Sequence, residues 1–129
     1  MTPRLVGAVA AGGALGALAR YLVSAAWPHP VAGFPWSTLV INLVGSLLIG
    51  VVIAVVGHRA VPRAFLATGV LGGFTTFSAY AEQGRGLVGD GRPALALAYL
   101  LGTVAACLVA VHLGRRLAAG PAADDEVDA

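Results

Sequence analysis

The sequence has little charge, one cysteine and no lysine. Charged residues make up 11% of the 129 residues, whereas an ordinary soluble domain has about 25%. A soluble fold of this size could not cover its surface with so few charges, so a soluble class is excluded. With 58% hydrophobic residues and the single Cys107, the sequence predicts one membrane domain without an intrachain disulfide bond.

The eight basic residues are all arginine, and they are scattered between apolar segments. Because they form no patch, we expect no nucleic-acid binding, and arginines near a membrane surface instead suggest contact with anionic lipid. Acidic residues are concentrated near the C-terminus, in Asp124, Asp125, Glu126 and Asp128. We expect residues 118–129 to form an acidic, disordered tail.

Four apolar segments alternate with loops rich in proline, glycine and arginine. Each has about 20 residues or more, enough to cross a hydrocarbon core of about 30 Å at about 1.5 Å per residue. The first segment also has the pattern of a signal peptide, but its apolar character resumes after Arg20 and favours a retained helix. The sequence predicts an all-α integral membrane protein with one four-helix domain over residues 1–117. The expected helices are 3–26, 36–57, 62–84 and 94–117.

The arginines also carry an orientation signal. With four spans, both termini share a side with the loop between the second and third helices, and the other side holds Arg85 and Arg92. This modest bias favours cytoplasmic termini and leaves open that copies insert both ways. The arginines on the side of the termini are Arg4, Arg59, Arg63, Arg115 and Arg116.

Polar residues inside the second and fourth segments are the best indicators of function in so small a membrane protein. Asn42 lies mid-span, and Thr38 and Ser46 share its helix face at a spacing of four. A lone asparagine could form one interhelical hydrogen bond, but a face of three polar residues favours a pathway. Tyr99 and Thr103 start a similar face in the fourth segment.

That face of the fourth segment ends in Cys107, whose thiol is a weaker hydrogen-bond donor than a hydroxyl. A stripe of glycine and alanine at spacing four runs beside it, from Gly102 to Gly114. Such stripes let helix backbones approach closely, either within one bundle or between subunits.

The third segment contains the run GGFTTFSAYAEQ, residues 72–83. Gly69, Gly72 and Gly73 weaken a helix by about 1 kcal/mol each relative to alanine, so we predict that the third helix is broken there. Backbone carbonyls freed at membrane depth must face protein, water or a cation. The alternative is a continuous helix that packs closely through its glycines.

Two phenylalanines and several hydroxyl residues follow these glycines. Phe74 and Phe77 are three residues apart, so on one helix they would share a face. Aromatic rings have a positive edge that can favour an anion without a full charge, although two phenylalanines are also common in a helix core. Thr75, Thr76 and Ser78 add hydroxyl donors on neighbouring faces.

Away from their ends, the spans hold hydrogen-bond donors and no carboxylate, since Glu82 lies near the end of the third segment. This set suits a small anion and argues against a small multidrug antiporter, which needs a membrane carboxylate to exchange protons. The sequence shows no nucleophile–base pair, metal-ligand cluster or phosphate loop, so we expect no enzyme activity. A purely structural protein would leave the Asn42 face unexplained.

Three motifs together resemble one known family, the small fluoride channels called Fluc or CrcB. They are GGALGALARY (12–21), STLVINLVGSLLIG (37–50) and GGFTTFSAY (72–80), in order within residues 1–117. The resemblance implies passive export of fluoride from the cytoplasm across the cell inner (plasma) membrane, giving fluoride resistance. It also implies an antiparallel dual-topology dimer with two pores, formed with a second copy or with a related subunit.

The resemblance also implies roles for particular residues. Asn42, Phe74 and Phe77 match the pore asparagine and the phenylalanines whose edges face the anion, and Thr76 and Ser78 belong to the hydroxyl run beside them. Tyr99 and Thr103 match a polar track on the fourth helix, where Cys107 replaces a hydroxyl. In addition, backbone carbonyls of the broken helix hold a structural sodium ion at the dimer centre, and the matching residues here are Gly69 and Gly72. Many members have threonine at the second of these positions, but a carbonyl ligand survives that change.

Overall fold

The computed structural model describes residues 1–29 and 33–120. Within these ranges the secondary structure is entirely helical, and four helical spans are long and apolar enough to cross a membrane. An all-α membrane protein with four candidate spans is therefore confirmed. Most of the predicted acidic tail, residues 121–129, lies outside the described residues.

The first, second and fourth spans are continuous helices. They are α1 (Pro3–Ala26), α2 (Trp36–Val56) and α6 (Pro93–Ala119). The Thr2 hydroxyl accepts a hydrogen bond from the Leu5 amide at 3.4 Å, and Pro3 occupies the first turn. Both features are typical of a helix start.

The third span, Ala60–Gly89, is a succession of helical pieces. It runs through α3 (Ala60–Arg63), a π-helical stretch (Ala64–Leu71), α4 (Gly72–Phe74) and α5 (Phe77–Gly89). Between α4 and α5, Thr75 and Thr76 have extended backbone, with ψ angles of 157° and 123°. We call these two residues the interruption.

The position of this interruption differs from the prediction. Gly69 lies in the π-helical stretch, and Gly72 and Gly73 lie in α4, so the glycines themselves are helical. The helix ends after them, at Phe74, and two of the three glycines pack against α1. A Cβ on Gly69 would lie 2.9 Å from the Gly12 Cα, and one on Gly73 would overlap the Gly13 carbonyl oxygen.

Close packing through glycine thus joins the first and third spans. It also joins α2 to α6, where a Cβ on Gly50 would overlap the Val111 carbonyl oxygen and one on Gly114 would overlap the Leu47 carbonyl oxygen. The predicted stripe from Gly102 to Gly114 packs only over its C-terminal part. Gly114 is buried, whereas Gly102 is exposed and a Cβ there would meet open space.

A small core at one end of the bundle positions the tyrosine of the fourth span. Tyr99 is 1% exposed and packs with Leu87 and Ala96. The Phe34 ring meets the Tyr99 ring edge-on, with 5.4 Å between centroids. The outer surfaces of α1 and α6 instead expose large apolar side chains, as expected for contact with lipid or with another subunit. They include Leu15, Leu18, Leu22, Leu101, Leu108 and Leu117.

Candidate functional site

A groove of about 340 Å³ lies where α2, the interruption, α5 and α6 meet. Most of its surface is apolar, and we call it the polar groove for the six polar residues among its lining. Its walls combine apolar side chains with hydroxyl, amide and thiol groups. Phe77 and Tyr80 also line it. The polar lining residues are Asn42, Ser46, Thr75, Thr76, Thr103 and Cys107. The structure thus brings together polar residues of α2, the third span and α6 that the sequence placed on separate helices.

Asn42 binds the interruption with both ends of its side-chain amide. Asn42 Nδ2 donates to the Thr76 carbonyl oxygen at 2.9 Å, and Asn42 Oδ1 accepts from the Thr76 amide at 2.8 Å. The side chain is buried, so these bonds satisfy two backbone groups that the helix no longer pairs. Asn42 therefore both lines the groove and holds the extended backbone in place.

The interruption changes the hydrogen bonding of nearby carbonyl groups. In a continuous helix the Thr76 amide would donate to the Gly72 carbonyl oxygen, but here it donates to Asn42. The Gly73 carbonyl oxygen accepts from Arg20 Nε at 3.1 Å. The Gly69 carbonyl oxygen accepts from the Gly72 amide and keeps a second lone pair. The Gly72 carbonyl has therefore lost its helical donor. Gly72 is also exposed on the surface of this chain.

The prediction that Phe74 and Phe77 share one helix face is wrong. Phe74 ends α4 and Phe77 begins α5, and the extended residues between them abolish the helical spacing. Phe74 is partly buried beside Gly45, where an added Cβ would lie 3.4 Å from Phe74 Cδ1. Phe77 is 79% exposed and lies against the Tyr80 ring, with 5.6 Å between centroids.

Thr76 and Ser78 have local roles at the start of α5. Thr76 Oγ1 accepts from the Ala79 amide at 3.2 Å and lies 3.3 Å from Ser78 Oγ. This is an N-cap, and it explains why the helix resumes at Phe77. Ser78 is exposed and does not line the groove as the structure describes it.

Thr103 presents the clearest unused donor in the groove. Its side chain is 4% exposed, and Oγ1 has no hydrogen-bond partner within residues 1–29 and 33–120. Thr103 Oγ1 therefore does not bond the backbone of its own helix, although threonine in a helix can do so. An unpaired buried hydroxyl costs about 1–3 kcal/mol, so Thr103 Oγ1 is expected to find a partner that residues 1–29 and 33–120 do not supply.

Thr38 and Tyr99 lie outside the groove and are joined by a residue that the sequence did not single out. Gln83 Nε2 donates to Thr38 Oγ1 at 2.8 Å, and the Tyr99 hydroxyl donates to Gln83 Oε1 at 3.0 Å. Gln83 follows Tyr80 by three residues on α5, so helical spacing alone places it on the same face. That spacing was the signal available in the sequence.

Glu82, which had no role in the sequence analysis, forms a local ion pair. Arg85 Nε donates to Glu82 Oε2 at 3.0 Å, and both side chains are exposed. The pair spans three residues of one helix, a spacing that supports a surface ion pair of modest strength.

Comparison with known proteins gives a consistent result. A family model described as CrcB-like protein, Camphor Resistance (CrcB), matches residues 7–115. Fluoride-specific ion channel FluC 1 of Streptomyces coelicolor is 52% identical over 84% of this chain and 73% of its own. FluC 2 of Nocardia farcinica is 45% identical over 88% and 84% of the two chains. FluC of Agrobacterium fabrum is 44% identical over 84% and 91%.

Proposed function

Because the chain belongs to the CrcB-like family, as its motifs predicted, we propose that it is a fluoride-specific ion channel that exports fluoride passively from the cytoplasm. Its relatives are named as ion channels, so the family is not enzymatic. The observation that carries the proposal is the polar groove, in which Thr103 offers a buried and unpaired hydroxyl. The expected consequence for a cell is fluoride resistance.

The chemistry of the groove suits a small, strongly hydrated anion. Such an ion leaves water only where donors replace its hydration shell, and it must bind weakly enough to leave again. Thr103, Ser46 and Cys107 supply neutral donors without a fixed cation. The exposed Phe77 ring can present its positive edge to the anion. In this proposal Thr38 and Tyr99 extend the polar track one helical turn beyond the groove.

The pore is proposed to form in an antiparallel dual-topology dimer, with a second copy or a related subunit. We take the interruption to be the break expected in the third helix. Two features support contact with a partner subunit there. Phe77 directly follows the interruption and Gly72 lies three residues before it, and both are exposed at membrane depth. The groove also opens to the outside of the single chain, and a second subunit would close it.

A structural sodium ion at the dimer centre is proposed to bind the carbonyl oxygens of Gly69 and Gly72. The diversion of the Thr76 amide to Asn42 supports this, because it removes the helical donor of the Gly72 carbonyl. Carbonyl oxygens are suitable ligands for a hard cation, and such ligands at membrane depth are expected only where a helix is discontinuous. Both glycine ligands act through the backbone.

Removing sodium should therefore impair the channel. We expect dialysis of the purified protein into a sodium-free buffer with N-methylglucamine to lower fluoride flux and to dissociate the dimer in detergent. Size-exclusion chromatography and efflux before and after dialysis measure both effects, and restored sodium should reverse them. Equal flux and an unchanged dimer without sodium would contradict the assignment of Gly69 and Gly72.

Contact with anionic lipid of the inner (plasma) membrane is also proposed. A cavity of about 510 Å³ at the ends of α2 and α6 is lined by basic side chains. It lies on the side of the termini, where the arginine bias is largest, and lipid phosphates are the abundant anions at that depth. The basic residues are His58, Arg63, His112, Arg115 and Arg116.

The proposed activity has a direct test. Proteoliposomes of the protein expressed alone should release fluoride much faster than chloride, because the smaller anion gains more from close contact with neutral donors. Ion-selective electrodes measure both effluxes, with protein-free vesicles as the control. Similar rates for both anions, or release of neither, would reject a fluoride-specific channel formed by this chain.

A further inference from the structure

The basic cavity at the ends of α2 and α6 continues the line of the polar groove. Ile49 and Val111 line the groove, and the residues one helical turn farther on, Ile53 and Arg115, line the cavity. The cavity therefore follows the groove along the bundle axis, on the side of the termini. Anions that approach the groove from that side pass close to its charges.

Most of the positive charge in this cavity is not neutralised. Within the described residues its lining has five basic side chains and no carboxylate. Arg63 Nη1 donates to the Gly57 carbonyl oxygen at 3.5 Å, whereas the other four side chains have no hydrogen-bond or ion-pair partner within residues 1–29 and 33–120. Concave sites lined by charge of one sign attract counterions. The four side chains are those of His58, His112, Arg115 and Arg116.

The chain itself carries the opposite charge directly beyond this cavity. Gly120 ends α6 with a φ of 70°, a left-handed conformation that turns the chain out of the helix axis, and it lines the cavity. Residues 121–129 follow, with four carboxylates and no basic residue. Asp124 is only four residues beyond Gly120, and four extended residues span at most about 14 Å. So short a tether keeps carboxylates at an effective concentration of about millimolar beside the cavity.

We propose that the acidic segment 121–129 binds in this basic cavity and, when bound, slows the entry of anions into the groove. Its carboxylates neutralise the charges that attract an anion, and they compete with the lipid phosphates proposed above. The segment lacks the apolar content for a packed core, so charge is the basis of the binding. The effect on flux rests on the proposed function, whereas the binding itself does not.

The mobility of a nitroxide label at residue 127 tests the binding. The label is attached to Val127→Cys in the full chain, with Cys107→Ser so that it reacts at one position only. Electron paramagnetic resonance in detergent should show an immobilised component at about 0.01 M salt, where the Debye length is about 30 Å. That component should be lost at about 1 M salt, where the Debye length is about 3 Å.

Substitutions in the cavity show whether the label is immobilised there. Arg115→Gln with Arg116→Gln should abolish the immobilised component at low salt. Both side chains are exposed, so the bundle should tolerate their replacement. Arg4→Gln with Arg59→Gln is the matched control, because it removes the same charge from the same side of the bundle. Neither Arg4 nor Arg59 lines the cavity, so this variant should keep the immobilised component.

Replacing the four carboxylates by their amides tests the effect on flux. Charge at the mouth of a site changes the encounter rate of an ion by about tenfold or more. We therefore expect fluoride efflux from proteoliposomes to rise severalfold at low salt and to equal that of the wild type at high salt. In a background without Arg115 and Arg116, the same replacement should give no gain, because both changes act on one site. The substitutions are Asp124→Asn, Asp125→Asn, Glu126→Gln and Asp128→Asn.

The outcomes of these experiments are distinguishable. A label that is mobile in the wild type at both salt concentrations would overturn the inference and leave the cavity to lipid phosphate. An immobilised label that survives the loss of Arg115 and Arg116 would also overturn it, because the segment would then be held elsewhere. Unchanged low-salt flux after removal of the carboxylates would overturn the inhibitory role. Absence of fluoride flux in the wild type would reject the channel, while the label still reports the binding.

Discussion

Replacing Asn42 with alanine is expected to reduce fluoride efflux by about a hundredfold, since two part-buried Thr76 backbone groups lose their partners, at up to about 1–3 kcal/mol each if they stay unsatisfied. Asn42 Nδ2 and Oδ1 hold the Thr76 carbonyl and amide at 2.9 and 2.8 Å. Without them, the Thr76 amide is free to return to the Gly72 carbonyl and close the interruption. Fluoride efflux from proteoliposomes measures the loss.

The control for this prediction lies one helical turn away. Ser46 lines the same groove on the same helix but has no hydrogen bond to the interruption, so Ser46→Ala should lose only a small part of the flux. The fold should survive Asn42→Ala, because the Thr75 amide still donates to the Leu71 carbonyl at 3.0 Å. Full flux in folded Asn42→Ala protein would refute a role for this clamp.

Replacing Gly16 with alanine should strongly destabilise the protein, because a Cβ there would overlap the Val70 carbonyl oxygen and lie 2.8 Å from the Phe74 amide nitrogen. Neither group is the end of a flexible side chain, so α1 and the third span must separate. Overpacking of this kind costs about 1–3 kcal/mol and sometimes more. We expect a lower midpoint of thermal unfolding in detergent, together with loss of flux.

Gly13 provides the matched control for Gly16. Both lie in α1, yet a Cβ on Gly13 would meet nothing within 4 Å. Gly13→Ala should therefore keep the wild-type unfolding midpoint or raise it slightly, since alanine favours helix more than glycine does. If both variants unfold at the same temperature, close packing through Gly16 does not stabilise the bundle.

Local spacing predicted part of the groove from single helices. Asn42 and Ser46 line it from α2, and Thr103 and Cys107 line it from α6, whereas Thr38 and Tyr99, predicted on the same two faces, lie outside it. Residues four apart on one helix share a face, whatever the neighbouring helices are. The same reasoning failed for Phe74 and Phe77, because it assumed a helix through the interruption at Thr75 and Thr76.

Contacts between spans could not be predicted in this way. The Thr76 backbone is 34 positions from Asn42, and Gln83 Nε2 binds a hydroxyl 45 positions away. Each of these hydrogen bonds depends on how closely two spans approach and on their relative position along the bundle axis. Those quantities depend on which glycines meet a neighbouring backbone, and Gly16 and Gly102 look alike in the sequence although only Gly16 is packed.

The amino-acid sequence by itself determined that this is a four-span membrane protein of the CrcB-like family, with neutral donors and no carboxylate in the interior of its spans. Hydrophobic length, charge scarcity and motif order are properties of the chain and do not depend on packing. Only the tertiary structure decided where the third span is interrupted, what Asn42 holds and that Gln83 joins Thr38 to Tyr99. Backbone groups at membrane depth must find partners within the protein, and which partner each finds is decided only when the spans pack.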